Sequence, residues 1–275
     1  MRITIYLVII LLLFLLKNSM SQDTLSQSNK KNYVTIECGL FNTVQYDEFI
    51  NYKNYSCTDF LPIRFSFWHH GNKTLQTINF YYIKTTIESK FSKDYIEKDF
   101  ADYEGGELAY RCYYNVFRTK RFLLSGGTGI LATGSMRNYS ISRRIPSIPS
   151  LNNIDRFTSS DITATSLLLG ILTEYSWKKS FILFELCMPI YNYFQRPSLA
   201  NSLLLSSHPQ EYNTEWNSAS LWGYVGYDCK CSMYLHVFRN FFIANSYNVN
   251  YFFIKSKFQM KSLKTTATLG LAYNF

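Results

Sequence analysis

Four histidines, six cysteines and one run of carboxylates are the residues whose chemistry could extend beyond packing. A general base or a metal ligand needs partners within hydrogen-bonding or coordination reach, so spacing is the first test. His69 and His70 adjoin the turn signal Gly71-Asn72, and His236 sits inside a long alternating stretch. His208, within Ser206-Ser207-His208-Pro209, is the histidine in an expected external loop and the candidate base, but no lipase-type or protease-type signature surrounds it. Glu88, Asp94, Glu97, Asp99, Asp102 and Glu104 crowd the connection 88–106 without the fixed spacing of a calcium-binding EF-hand loop. A basic, Ser-rich connection at 135–162 carries Arg137, Arg143, Arg144 and Arg156 and could lie against the acidic one. Cys38 and Cys57 bracket the first long connection and form the candidate disulfide. Cys229 and Cys231 share one strand face two residues apart, too far to bond each other, and no second metal-binding pair accompanies them. The expectation is no catalytic, cofactor-binding or metal site.

The elements that would position these groups are strands. Backwards from the last residue, Phe275, Tyr273, Leu271, Leu269 and Ala267 are apolar, whereas Asn274, Ala272, Gly270, Thr268 and Thr266 are small or polar. Successive side chains of a strand point to opposite faces, so this segment has one greasy face and one small, wet face. Lipid imposes that division on a closed barrel, which leaves no backbone edge unpaired. Composition agrees: aromatics make up 18% of residues and charged residues only 17%, against ~25% in soluble domains. A mean hydropathy of −0.11 follows from averaging a lipid-facing wall with a polar interior.

Thr268, Gly270, Tyr273 and Phe275 supply a polar residue, a glycine two positions on, and two aromatics spaced by one with the last terminal. The pattern resembles the C-terminal assembly signal of small Gram-negative outer-membrane β-barrel proteins. The resemblance implies insertion by the outer-membrane assembly machinery and contact with outer-membrane lipid and lipopolysaccharide; a monomer is expected. At the other end, Met1-Arg2, the apolar stretch Ile3 to Leu16 and Ser19-Met20-Ser21 read as a secretory signal, cleaved before Gln22 and too short to span a membrane. The expected organisation is a signal peptide at 1–21 and, at 22–275, an all-β, transmembrane, antiparallel up-and-down β-barrel in the cell outer membrane.

Alternating segments near 33–41, 62–70, 75–87, 107–117, 121–134, 163–176, 180–193, 219–238, 247–258 and 264–275 read as strands. Their connections run long then short through residue 218, as expected when short turns face the periplasm and long loops face outward. Alternation through 219–238 never slips, which favours one long strand over a hairpin and gives an even total of ten. The inward parity holds Arg111, Tyr113, Asn115, Glu174, Glu185, Asp228 and Lys230, and it puts Cys187 inside and Cys112 outside. In so narrow a lumen these charges must pair, and an ion-pair network filling the barrel is the expectation.

Loss of residues 1–21 would lower the net charge from +9 to +7, with the charges scattered and no aromatic-plus-basic motif for nucleic acid. The expected role is non-enzymatic, in surface interaction or membrane integrity, carried by external loops. Alternatives are a narrow small-solute channel lined by the same charges, a rim-sited hydrolase using His208, and a secreted disulfide-bonded β-sandwich. In the last, Asn54, Asn72 and Asn138 would be glycosylation sites.

Overall fold

The computed structural model describes residues 31–47, 53–89, 99–141, 156–196, 215–220, 224–254 and 260–275. The expected signal segment and His208 lie outside the described residues. Strands β1 (Lys31–Asp47), β2 (Lys53–His70), β3 (Thr74–Ser89), β4 (Asp99–Arg118), β5 (Phe122–Ile141) and β6 (Arg156–Trp177) follow one another as antiparallel neighbours. They continue as β7 (Ser180–Arg196), β8 (Glu215–Ser220), β9 (Tyr224–Phe238), β10 (Phe241–Ile254) and β11 (Met260–Asn274). The first strand pairs the last across fifteen registered positions, Tyr33 opposite Asn274 through Asp47 opposite Met260, and the sheet closes on itself.

Eleven strand segments make ten staves. β8 and β9 both pair antiparallel with β7, at Tyr191–Arg196 and Phe181–Cys187 respectively. β6 holds the other edge of β7 over much of both stretches, so β8 and β9 lie end to end along one edge. The closed, antiparallel up-and-down barrel expected from alternation is therefore present, with the even stave number. A single ring with an apolar outer face overturns the β-sandwich reading.

Several strand bounds need correction. β10 begins at Phe241, six residues before the expected start, because Arg239-Asn240 alone turn the chain. Ser246, polar enough to suggest a loop, is a buried lumen residue. The long connections are also shorter than expected, since strands run on past the alternating core. Asp99, Asp102 and Glu104 belong to β4, and Arg137 and Arg156 to β5 and β6. The acidic and basic segments nonetheless adjoin, with Asp102 opposite Asn138 and Tyr103 opposite Arg137.

The expected Cys38–Cys57 bond is absent, and both thiols are free. Register explains why. Cys57 lies opposite Thr43 and packs against the inner cluster of Phe41, Tyr81, Ile83, Ile87 and Tyr103, whereas Cys38 lies opposite Leu269 and is exposed. Cys187 is buried, in keeping with its expected inward face, and Cys231 is exposed.

Alternation divides the two walls. On β11 Leu263, Leu269, Leu271 and Tyr273 are exposed, while Ser262, Lys264, Thr266, Thr268 and Ala272 are buried. Irregularity is confined to defined places: Pro189 sits at a register shift between β6 and β7, where a missing N–H does least harm to the ladder. The closing seam uses glycine for close approach. A Cβ on Gly270 would fall 1.9 Å from the Ile36 carbonyl oxygen, and one on Gly39 would fall 2.0 Å from that of Ala267. Backbone atoms on both sides cannot yield as a flexible side chain does. Gly270→Val is expected to destabilise the barrel by about 1–3 kcal/mol, read as a lower temperature for loss of the SDS-resistant folded band.

Candidate functional site

The lumen is built in layers. Nearest the short turns is an aromatic plug: Phe181 stacks on Tyr234 with centroids 4.6 Å apart, Tyr33 lies 5.2 Å from Phe181, and Trp68 meets Tyr234 edge-on at 6.4 Å. Five different strands supply these rings and Phe242, because each places an inward residue a few positions from its turn. Beyond the polar middle, a second apolar layer of Phe41, Tyr81, Ile83, Ile87 and Tyr103 packs toward the long connections.

Between them lies the charged centre. Arg111 on β4 donates from Nη1 to Glu185 Oε2 on β7 at 2.5 Å, and from Nη2 to Asp228 Oδ2 on β9. Tyr113 donates to the other Glu185 oxygen at 2.5 Å, and Lys230 donates to Asn79 Oδ1 at 3.0 Å across the barrel. Glu37 accepts from Ser246 at 2.6 Å and from Thr268 at 3.1 Å. Higher up, Lys264 pairs with Glu107 at 3.2 Å. These are strand-to-strand ties across the lumen, made by groups whose burial is tolerable only because they are paired. Among the described residues of this centre, the cations Arg64, Arg111, Lys230 and Lys264 match the carboxylates Glu37, Glu107, Glu185 and Asp228 four against four.

Two small cavities lie among the described residues. A polar cavity of about 20 Å³ between Arg64, Asn79, Glu107, Arg111, Asp228 and Lys230 is on the scale of a water molecule. At the short-turn mouth a second cavity, of about 60 Å³, opens beside Tyr33, Trp68, Phe181 and Tyr234.

The sequence-derived inward set is brought together as expected: Arg111, Tyr113, Glu185 and Asp228 form one network, with Lys230 beside it. Asn115 accepts from Ser125 at 3.0 Å, and Glu174 stands 3.9 Å from His70 nearer the turns. Glu37, Arg64, Asn79, Glu107 and Lys264 were missed. The same parity rule reaches Glu37, which alternates with Thr35 and Tyr33, but carboxylate alternation alone does not reveal its partners. The described histidines have structural engagements: His69 Nδ1 lies 2.7 Å from Asn32 Oδ1, His70 adjoins Glu174, and His236 Nε2 lies 2.7 Å from the Arg239 carbonyl.

The four residues of the terminal pattern divide by face. Thr268 points inward to Glu37, and Gly270 takes the close approach to Ile36. Tyr273 and Phe275 are exposed, stacked at 6.4 Å, with Phe241 beside Tyr273 at 5.0 Å and Phe67 beside Phe275 at 6.4 Å.

No protein-family model matches the sequence, and no curated protein matches it. Among solved structures, the outer membrane protease OmpT from Escherichia coli aligns with a TM-score of 0.60 at 9% identity, covering 93% of this chain and 100% of that one. The translocator domain of the autotransporter NalP from Neisseria meningitidis aligns at 0.46 with 9% identity, over 94% of this chain and 92% of that one. The first likeness is one of fold alone: this chain has the architecture of an outer-membrane β-barrel.

Proposed function

We propose that this chain is an integral outer-membrane β-barrel with a sealed lumen. Its role, in surface interaction or membrane integrity, is non-enzymatic and belongs to the connections opposite the short turns. The observation carrying this reading is Arg111, which binds carboxylates on two other strands across the middle of the lumen. A conduction path would have to break these paired charges or pass around them, and the plug of Tyr33, Phe181 and Tyr234 stands below. Terminal aromatics on the outer wall favour recognition of Thr268, Gly270, Tyr273 and Phe275 by the assembly machinery.

The test is expression with the native leader in a Gram-negative host, followed by outer-membrane isolation and electrophoresis with and without boiling. A heat-modifiable outer-membrane band, abolished by deleting Phe275, is the expected result. The purified protein should show no steady conductance in planar bilayers. A steady conductance would replace the sealed barrel with a narrow small-solute channel. Turnover of lipid or peptide that disappears in His208→Ala would replace the non-enzymatic reading with a rim hydrolase.

A further inference from the structure

The four short turns and the start of β1 gather at one end of the barrel, and that end is ringed with cations. Lys73 lies in the β2–β3 turn, and Arg118, Lys120 and Arg121 flank the β4–β5 turn. Lys178 and Lys179 make the β6–β7 turn, Arg239 opens the β9–β10 turn, and Lys31 starts β1. All of these are exposed. The carboxylate side chain facing them among the described residues is Glu174, partly buried beside His70. Among the described residues, eight cationic side chains face one carboxylate side chain at this end. The charges that look scattered along the sequence are gathered by closure of the ring.

Three further observations say what the ring meets. First, Lys178 and Arg239 hold φ of 53° and 47°, the left-handed region where two-residue hairpins usually place Gly, Asn or Asp. A side chain with a Cβ is disfavoured there, and the chain keeps cations in place at that cost. Second, outward Phe117, Phe122, Tyr175, Phe238, Phe241 and Tyr273 form a belt within a few residues of the turns. Such belts mark the headgroup level, and long cationic side chains just beyond them reach its phosphates. The Arg239 guanidinium lies 5.0 Å from the Phe238 ring, held against that belt. Third, the cations do not converge on one pocket. Lys31, Lys178 and Lys179 line the mouth cavity, but Lys73, Lys120 and Arg239 stand apart from it. A single soluble anion would meet only a few of them, whereas a sheet of headgroups meets them all.

We propose that this basic rim binds the phosphates of anionic phospholipids in the leaflet the short turns face. The leaflet assignment rests on the outer-membrane reading above, which makes it the periplasmic one; the headgroup preference does not depend on it. The full-length protein, refolded into vesicles of equal phosphatidylcholine and phosphatidylglycerol, would be released into detergent and its retained lipids counted by native mass spectrometry. Anionic lipid should be retained about fivefold or more over zwitterionic lipid, the preference expected when one cation meets one headgroup. The preference should shrink in concentrated salt, where screening shortens to about 3 Å. Combined Lys120→Gln, Lys178→Gln, Lys179→Gln and Arg239→Gln should abolish it while the heat-shifted band shows the barrel folded, and the corresponding Lys→Arg changes should preserve it. Equal retention of both lipids, or an undiminished preference in the glutamine variant, overturns the proposal. Detection of an epitope inserted after Lys120 on intact cells would instead overturn the orientation, a separate failure.

Discussion

Arg111→Met is expected to lower the stability of the folded barrel by about 3–5 kcal/mol, the cost of leaving buried charges without their partner. The guanidinium holds two carboxylates at once, and Tyr113 already occupies the second oxygen of Glu185. Removing the cation leaves Glu185 and Asp228 facing each other's charge inside the wall. Urea unfolding in detergent micelles, followed by tryptophan fluorescence, measures the loss. The double variant Arg111→Met, Asp228→Asn removes one charge of each sign, leaves Glu185 with Tyr113 and with Lys230 opposite it, and should recover much of the stability, because replacing a buried ion pair by neutral groups is often tolerated. If the single variant unfolds at the wild-type urea midpoint, the network does not tie the lumen.

Phe181→Ala should cost a similar amount, about 3–5 kcal/mol, through the cavity left by a large buried aromatic. Its ring touches Tyr33, Tyr234 and Phe242 at centroid distances of 5.2, 4.6 and 6.1 Å. Truncation would enlarge the mouth cavity that Phe181 already lines. The charged layer above should still block the lumen, so the variant is expected to unfold at lower urea yet show no steady conductance. A conducting Phe181→Ala protein would mean that the plug, rather than the Arg111 network, seals the barrel.

Much of the fold was legible because a closed barrel with an apolar outer wall imposes a strict alternation. The final strand, the stave number and the inward set Arg111, Glu185, Asp228 and Lys230 all follow from parity. Where the strands run past that apolar wall, polarity no longer sorts the faces, and the run from Asp99 to Glu104 reads as an acidic loop although Phe100 to Glu104 pair residue for residue with β5. The start of β10 was obscured for a different reason. Arg239 adopts a left-handed conformation that its residue type does not advertise, and the polar Ser246 serves Glu37 inside the lumen. Pairings such as Lys264 with Glu107 depend on which staves face each other across the ring, 157 positions apart in sequence. Alternation assigns a face but not an opposite number. The basic rim escaped for the same reason, since its cations come from turns far apart along the chain.

Strand lengths differ around the ring: β6 has 22 residues and β5 has 20, but β10 has 14 and β11 has 15. All start level at the short turns. With about 3.3 Å per residue and a tilt near 40°, β6 stands about 55 Å tall and β10 about 35 Å, over a hydrocarbon band of about 25 Å. Among the described residues the wall therefore stands about 20 Å taller at β6 than at β10. On the outer-membrane reading proposed above, the described wall rises well past the headgroups at β6 and only a little past them at β10. The described wall at the end opposite the basic rim is thus uneven, and an approach along the membrane would meet a different height on each side.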